Sequence, residues 1–232
     1  MNDLHIPTEI AAAGFARMQR TAAQHLRLAL FGVIAQVIES CGEGDPGTAL
    51  MAHPFLADYL EEIQAQVPVD GTIAATWWRA VHAWEAEAAS LGARLPLVAL
   101  RDAGLSALQV ELLLAVGLVE EDPRFGDIFE SEQRHDRRPT YGLLTAWWRD
   151  DGADGDRCEE VRSALQRLID HGLVQLVNAD VPRADWALSV ALPVWDVLRG
   201  EAPVLRGLRY TKCMDLVPMD AYVAGTALAT AC

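Results

Sequence analysis

Apolar residues return every three or four positions in one stretch of this 232-residue chain after another, and glycine or proline ends most of the runs. That repeat confines the chain to helices of modest length joined by tight turns. Met18, Ala22, Leu26, Leu30, Ile34 and Ile38 step by four, predicting a helix over residues 8–40 that Thr8 caps with Glu9 in its first turn. A turn-rich loop, Cys41 to Gly47, follows it. Phe55, Leu56, Tyr59, Leu60 and Ile63 predict a second helix over 54–66. Trp77, Val81, Trp84 and Ala88 predict a third over 72–91, stopped by Gly92. Residues 1–92 therefore read as a three-helix N-terminal segment.

The pattern then changes. A short helix is expected over 97–103, and Ser106 caps another that carries Leu108, Leu112 and Val116 on one side. Asp122 to Gly126 is a turn or a helix restart leading into Ile128 and Phe129. Pro139 suits the first position of a helix over 140–148. Val161, Leu165, Leu168 and Ile169 then mark a helix over 158–171 that Gly172 stops. Two β-rich runs, 173–177 and 187–192, flank a turn-forming segment, and a short closing helix over 195–198 completes the series. Helix, glycine stop, strand, turn and strand is the order of a winged helix. The fold expected is mainly α: a helical segment over 1–92, a winged-helix domain with a small β-hairpin wing over 93–200, and a linker over 201–232. The tail from Val223 to Cys232 is apolar and uncharged, so we expect that it docks on something or that the chain is the front of a longer protein.

Composition removes several classes of function. Cys41, Cys158, Cys213 and Cys232 lie far apart without a C-x-x-C pair, arguing against a disulfide framework or a structural zinc and for a reducing cytoplasm. The longest apolar stretch, Ala29 to Ala35, is far short of the roughly 20 residues a membrane span needs. The N-terminus also lacks the order of a secretion signal. With 33 acidic and 19 basic residues the formal net charge is −14, which repels phosphate backbones and anionic membranes.

Sites for chemistry are equally scarce. Lys212, the only lysine, has no glycine loop before it, so the chain holds no phosphate-binding P-loop. No G-x-G-x-x-G occurs near Gly117 to Gly126. The acidic run Asp150 to Asp156 lacks the glutamate that closes an EF-hand loop. His53, His82, His135 and His171 have no acid and nucleophile at recognisable spacing. No catalytic, cofactor or metal residue is expected within the chain. Binding is the remaining theme. In Trp77-Trp78 and Trp147-Trp148 adjacent helical positions point about 100° apart, so Trp78 and Trp148 are candidates for a rim or interface. Arg134, Arg137 and Arg138 form a basic cluster suited to an acidic partner surface. In the helix that would read DNA, Glu159, Glu160 and Asp170 oppose Arg162 and Arg167, which favours a protein partner over DNA. A winged-helix transcription regulator is the alternative, and a small-molecule sensor using the tryptophan pairs is the third reading.

A further set of residues carries a family resemblance. Trp84-Glu85, Arg94-Leu95-Pro96-Leu97, Leu105-Ser106-Ala107-Leu108, Glu111 to Leu114, Asp122-Pro123-Arg124-Phe125-Gly126, Arg138-Pro139-Thr140-Tyr141-Gly142-Leu143-Leu144 and His171-Gly172-Leu173-Val174 together resemble the region before the motor in certain bacterial AAA-type ATPases. Such ATPases occur with phage-tail-like contractile injection systems. The resemblance spans about residues 50 to 200 and implies a helical segment followed by a winged helix that recognises partners or cargo. ATP, magnesium and ring assembly would then belong to a motor beyond residue 232, with Asp215 to Val223 as the connection to it.

Overall fold

The computed structural model describes residues 15, 17–42, 44–68, 71–133, 136–148 and 156–202. These form ten α-helices and one two-stranded sheet: α1 (Ala22–Cys41), α2 (Pro46–Ala52), α3 (Leu56–Gln66), α4 (Ile73–Ser90), α5 (Pro96–Asp102), α6 (Ala107–Glu121), α7 (Phe125–Gln133), α8 (Tyr141–Trp147), α9 (Asp156–Asp170), β1 (Val174–Leu176), β2 (Leu188–Val190) and α10 (Leu192–Arg199).

The first helix starts later than the apolar stripe implies. Residues 17–20 make a turn and a bend, and Thr21, in an extended conformation, accepts a hydrogen bond from the Gln24 amide at 3.2 Å. Its hydroxyl supplies the acceptor that a helix start needs, so Met18 falls off the helix although it keeps the spacing. The expected cap at Thr8 lies outside the described residues. A short helix was also missed in the Cys41 to Gly47 loop: Asp45 accepts from the Gly47 amide at 3.0 Å, and Pro46 opens α2 at its first position. Among the described residues the N-terminal segment thus has four helices rather than three. Pro139 precedes Thr140, the N-cap of α8, and so stands two places before the first helical residue, Tyr141, rather than at that position.

α1 organises the interior. Twelve of its 20 residues are buried, on every side of the helix, and a helix apolar all round must be wrapped. It packs on α4, α6 and α10. At the α4 contact the Trp77 indole donates to the Leu28 carbonyl at 2.7 Å and its ring stacks on Phe31. α6 is a second such helix, buried continuously from Leu112 to Leu118. One hydrophobic core runs through both. The boundary expected at residues 92–93 coincides with the end of α4, where Gly92 takes a positive φ of 77°, and the core continues across it.

The sheet is small. β1 and β2 pair antiparallel with Val174 opposite Val190 and Leu176 opposite Leu188, and Val174 turns inward while Gln175 is exposed. A single bridge joins Thr140 to Ala187. α9 buries Val161, Leu165 and Leu168 against α6, α8 and β1. No described helix is long and apolar enough to cross a membrane.

Candidate functional site

A polar groove of about 680 Å³ lies between α8, α9 and the 3-10 turn Arg183–Asp185. Its geometry begins with Thr140. The Thr140 hydroxyl accepts from Leu143 N at 3.2 Å to start α8, and the next amide, Tyr141 N, donates to the Trp186 carbonyl at 2.9 Å. α8 is thereby tied to the far end of the hairpin loop. Gly142 permits the approach, since a Cβ there would lie 2.8 Å from the Ala184 carbonyl oxygen. Asn178 fixes the loop itself, accepting from Ala187 N and donating to the Asp185 carbonyl.

Charges in this groove are interleaved. Arg162, Arg167 and Arg183 line it together with Glu159 and Asp170. Arg162 stands 3.9 Å from Glu159, and one turn back Arg157 pairs with Glu160 at 2.9 Å. Arg183 donates to Gln166 at 2.9 Å and lies over the Tyr141 and Trp186 rings. Tyr141 donates its hydroxyl to the Arg162 carbonyl at 2.9 Å, and burial raises its pKa.

The other candidate binders are dispersed. Trp78 is half-buried on α4, its ring tilted on His82 and lying against Gly32 of α1. Trp148 is a correction to the expectation of one inward and one rim residue in each pair. It is 5% exposed, and its indole donates to Glu111 at 3.2 Å. Trp147 is buried as well and packs on Phe129. Trp148 reaches Glu111 of α6 while Trp147 meets Phe129 of α7, so neighbouring elements cover both sides of the end of α8. Arg137 pairs with Asp127 and Glu130 and donates to the Pro123 carbonyl, while Arg138 pairs with Glu120 at 3.2 Å. Carboxylates of α6 and α7 thus meet the charges expected to face a partner. Arg134 and most of the acidic run 150–156 lie outside the described residues, as does Lys212.

One polar group escaped the sequence reading. His25 is fully buried, with Nε2 2.6 Å from Glu85 Oε1, and Arg101 donates to the other carboxylate oxygen at 2.5 Å. Burial pushes the Glu85 pKa up, but the hydrogen bonds from His25 and Arg101 outweigh it and hold the carboxyl below its ordinary value. The three residues join α1, α4 and α5 and are closed to solvent apart from the edge of Arg101. Nothing in the local sequence links positions 25, 85 and 101. Burial also pushes the Cys41 thiol up to about 12, next to Glu132, which makes it a poor nucleophile. Among the described residues no three His, Cys, Asp or Glu side chains gather as metal ligands. Compared with known proteins, the chain matches no family model, no curated protein and no solved structure.

Proposed function

We propose that this chain is a protein-binding module built on a winged helix, and that it serves as the N-terminal, non-catalytic region of an AAA-type ATPase. Support for the architecture comes from the order α8, α9, β1, β2 and from the Thr140–Ala187 bridge, which supplies the vestige of a third strand before α8. In this reading α9 is the recognition helix. The observation that carries the choice of partner is the interleaving of Glu159, Arg162, Arg167 and Asp170 along its open face. Duplex DNA rewards surplus arginine or lysine there and penalises each carboxylate, whereas a protein surface accepts alternating charge. The link to a motor that holds ATP and magnesium, and to contractile injection systems, rests on the resemblance carried by residues 50–200.

Affinity capture with the full-length parent, compared with a version lacking residues 1–200, is the direct test. Loss of one or more partners on deletion is expected, and an unchanged partner set overturns the reading. A mobility-shift titration at low salt addresses the alternative. No shift is expected at micromolar protein, and a salt-sensitive shift would make the chain a winged-helix DNA binder instead.

A further inference from the structure

A second groove, of about 540 Å³, opens between α1, α3, α6, α7 and the end of α10 and shares no lining residue with the first. Its floor is apolar: Leu26, Leu30 and Ile34 of α1 with Leu118 of α6, all buried. One wall is aromatic. Phe31, Tyr59 and Phe125 form a chain of rings with centroids 5.5 and 5.7 Å apart, and Tyr59 is pinned by donating its hydroxyl to Asp122 at 2.9 Å. The volume lies within the roughly 300–1,000 Å³ usual for small-ligand sites, which combine such apolar walls with a few polar groups.

The mouth decides what kind of ligand fits. Glu62, Glu121, Asp122 and Glu201 stand there against Arg27 and Arg199. Arg27 is held by Glu62 at 2.6 Å and Arg199 by Glu121 at 2.6 Å. Asp122 is saturated by Tyr59 and by Arg124, 2.7 Å away. Glu201 has no ion pair among the described residues and is exposed at the rim. A chain of net charge −14 adds a field of the same sign.

We propose that this groove binds a small organic cation, a compact apolar body bearing one protonated amine, with the body on the leucine and isoleucine floor and the amine at the acidic mouth beside Glu201. The site is separate from the α9 face, so it stands or falls independently of the partner-binding reading.

The test uses two probes matched in body and opposite in charge, 1-adamantanamine and adamantane-1-carboxylate, titrated into the full chain with methyl-labelled isoleucine and leucine. The amine should produce saturable shifts at the methyls of Leu26, Leu30, Ile34 and Leu118, with the carboxylate at least about tenfold weaker. Glu201→Gln, an exposed substitution that leaves the core untouched, should weaken the amine by about threefold, with a smaller effect at high salt. Equal affinity for the two probes, no saturable shift at millimolar amine, shifts centred on other methyls, or an unaltered amine affinity in Glu201→Gln would each overturn the proposal.

Discussion

The α1–α4 and α6–α10 seams are built from the same two parts, a helix glycine under a tryptophan ring and a carboxylate gripped by two donors, but with the tight and loose parts exchanged. At α1–α4 a Cβ on Gly32 would lie 2.6 Å from the Trp78 ring, and that ring is half-buried. The seam's carboxylate, Glu85, is sealed, its side chain 7% exposed. At α6–α10 a Cβ on Gly117 would lie 2.2 Å from the Trp195 ring, which is 1% exposed. There the carboxylate is near the surface: Glu121 accepts from the Trp195 indole at 2.7 Å and from Arg199 at 2.6 Å, with a third of its side chain open to water. The same motif therefore derives its strength from whichever member cannot move or be replaced by solvent.

Four substitutions break or sharpen that contrast. Glu85→Ala should cost about 3 kcal/mol in denaturant unfolding at neutral pH, because it leaves His25 buried without a partner and removes half of an enclosed ion pair. The loss has a defined pH dependence. A carboxyl held below its ordinary value adds stability above that value and gives it up as pH falls through the lowered one, so the gap between wild type and variant should narrow on acidification. A constant gap down to acid pH would assign Glu85 a packing role alone. Gly117→Ala comes next. An exposed helix would gain up to about 1 kcal/mol from this change, yet here the methyl meets an enclosed ring, and a net loss of about 1–3 kcal/mol is expected from overpacking. Thermal unfolding with equal or higher stability would show that Trp195 has room to shift.

Glu121→Ala should cost no more than about 1 kcal/mol, since water can replace it at a partly open site; a loss matching that of Glu85→Ala would erase the distinction between the seams. Gly32→Ala is the smallest, within about 0.5 kcal/mol, because the helix gain offsets displacement of a half-exposed ring. Tryptophan emission offers a second readout: Trp78 should move toward water in this variant, and an unchanged spectrum would mean that the backbone yields instead.

Much of the scaffold was legible in the residues. Ser106 caps α6 as expected, Thr72, expected as the first residue of the third helix, turns out to cap α4, and Gly92 and Gly172 end helices with positive φ. Asp45-Pro46 carried a readable start signal for α2. Less legible was Thr21, because the apolar stripe runs straight through it and periodicity has no mark for a helix end without a breaker. The surfaces were harder still. Whether Trp148 faces out depends on Glu111 of α6, and whether Arg138 is available depends on Glu120 of the same helix, neither near it in sequence. The aromatic groove draws on five helices, so its composition is a property of packing with no local trace. The alternation of charge along α9, in contrast, lies within one helix and could be read directly.

Enclosure of α1 has a temporal side. Its N-terminal end is closed by the last described helix: α10 packs on α1, and Gly200 comes so near that a Cβ there would lie 2.9 Å from the Ala22 methyl. On the ribosome α1 emerges about 150 residues before α10, and until then part of its apolar flank stays uncovered. Throughout that interval the nascent chain displays the flank of α1 that α6 and α10 later cover, a natural client for holding chaperones, and expression of residues 1–92 alone would leave that flank permanently bare.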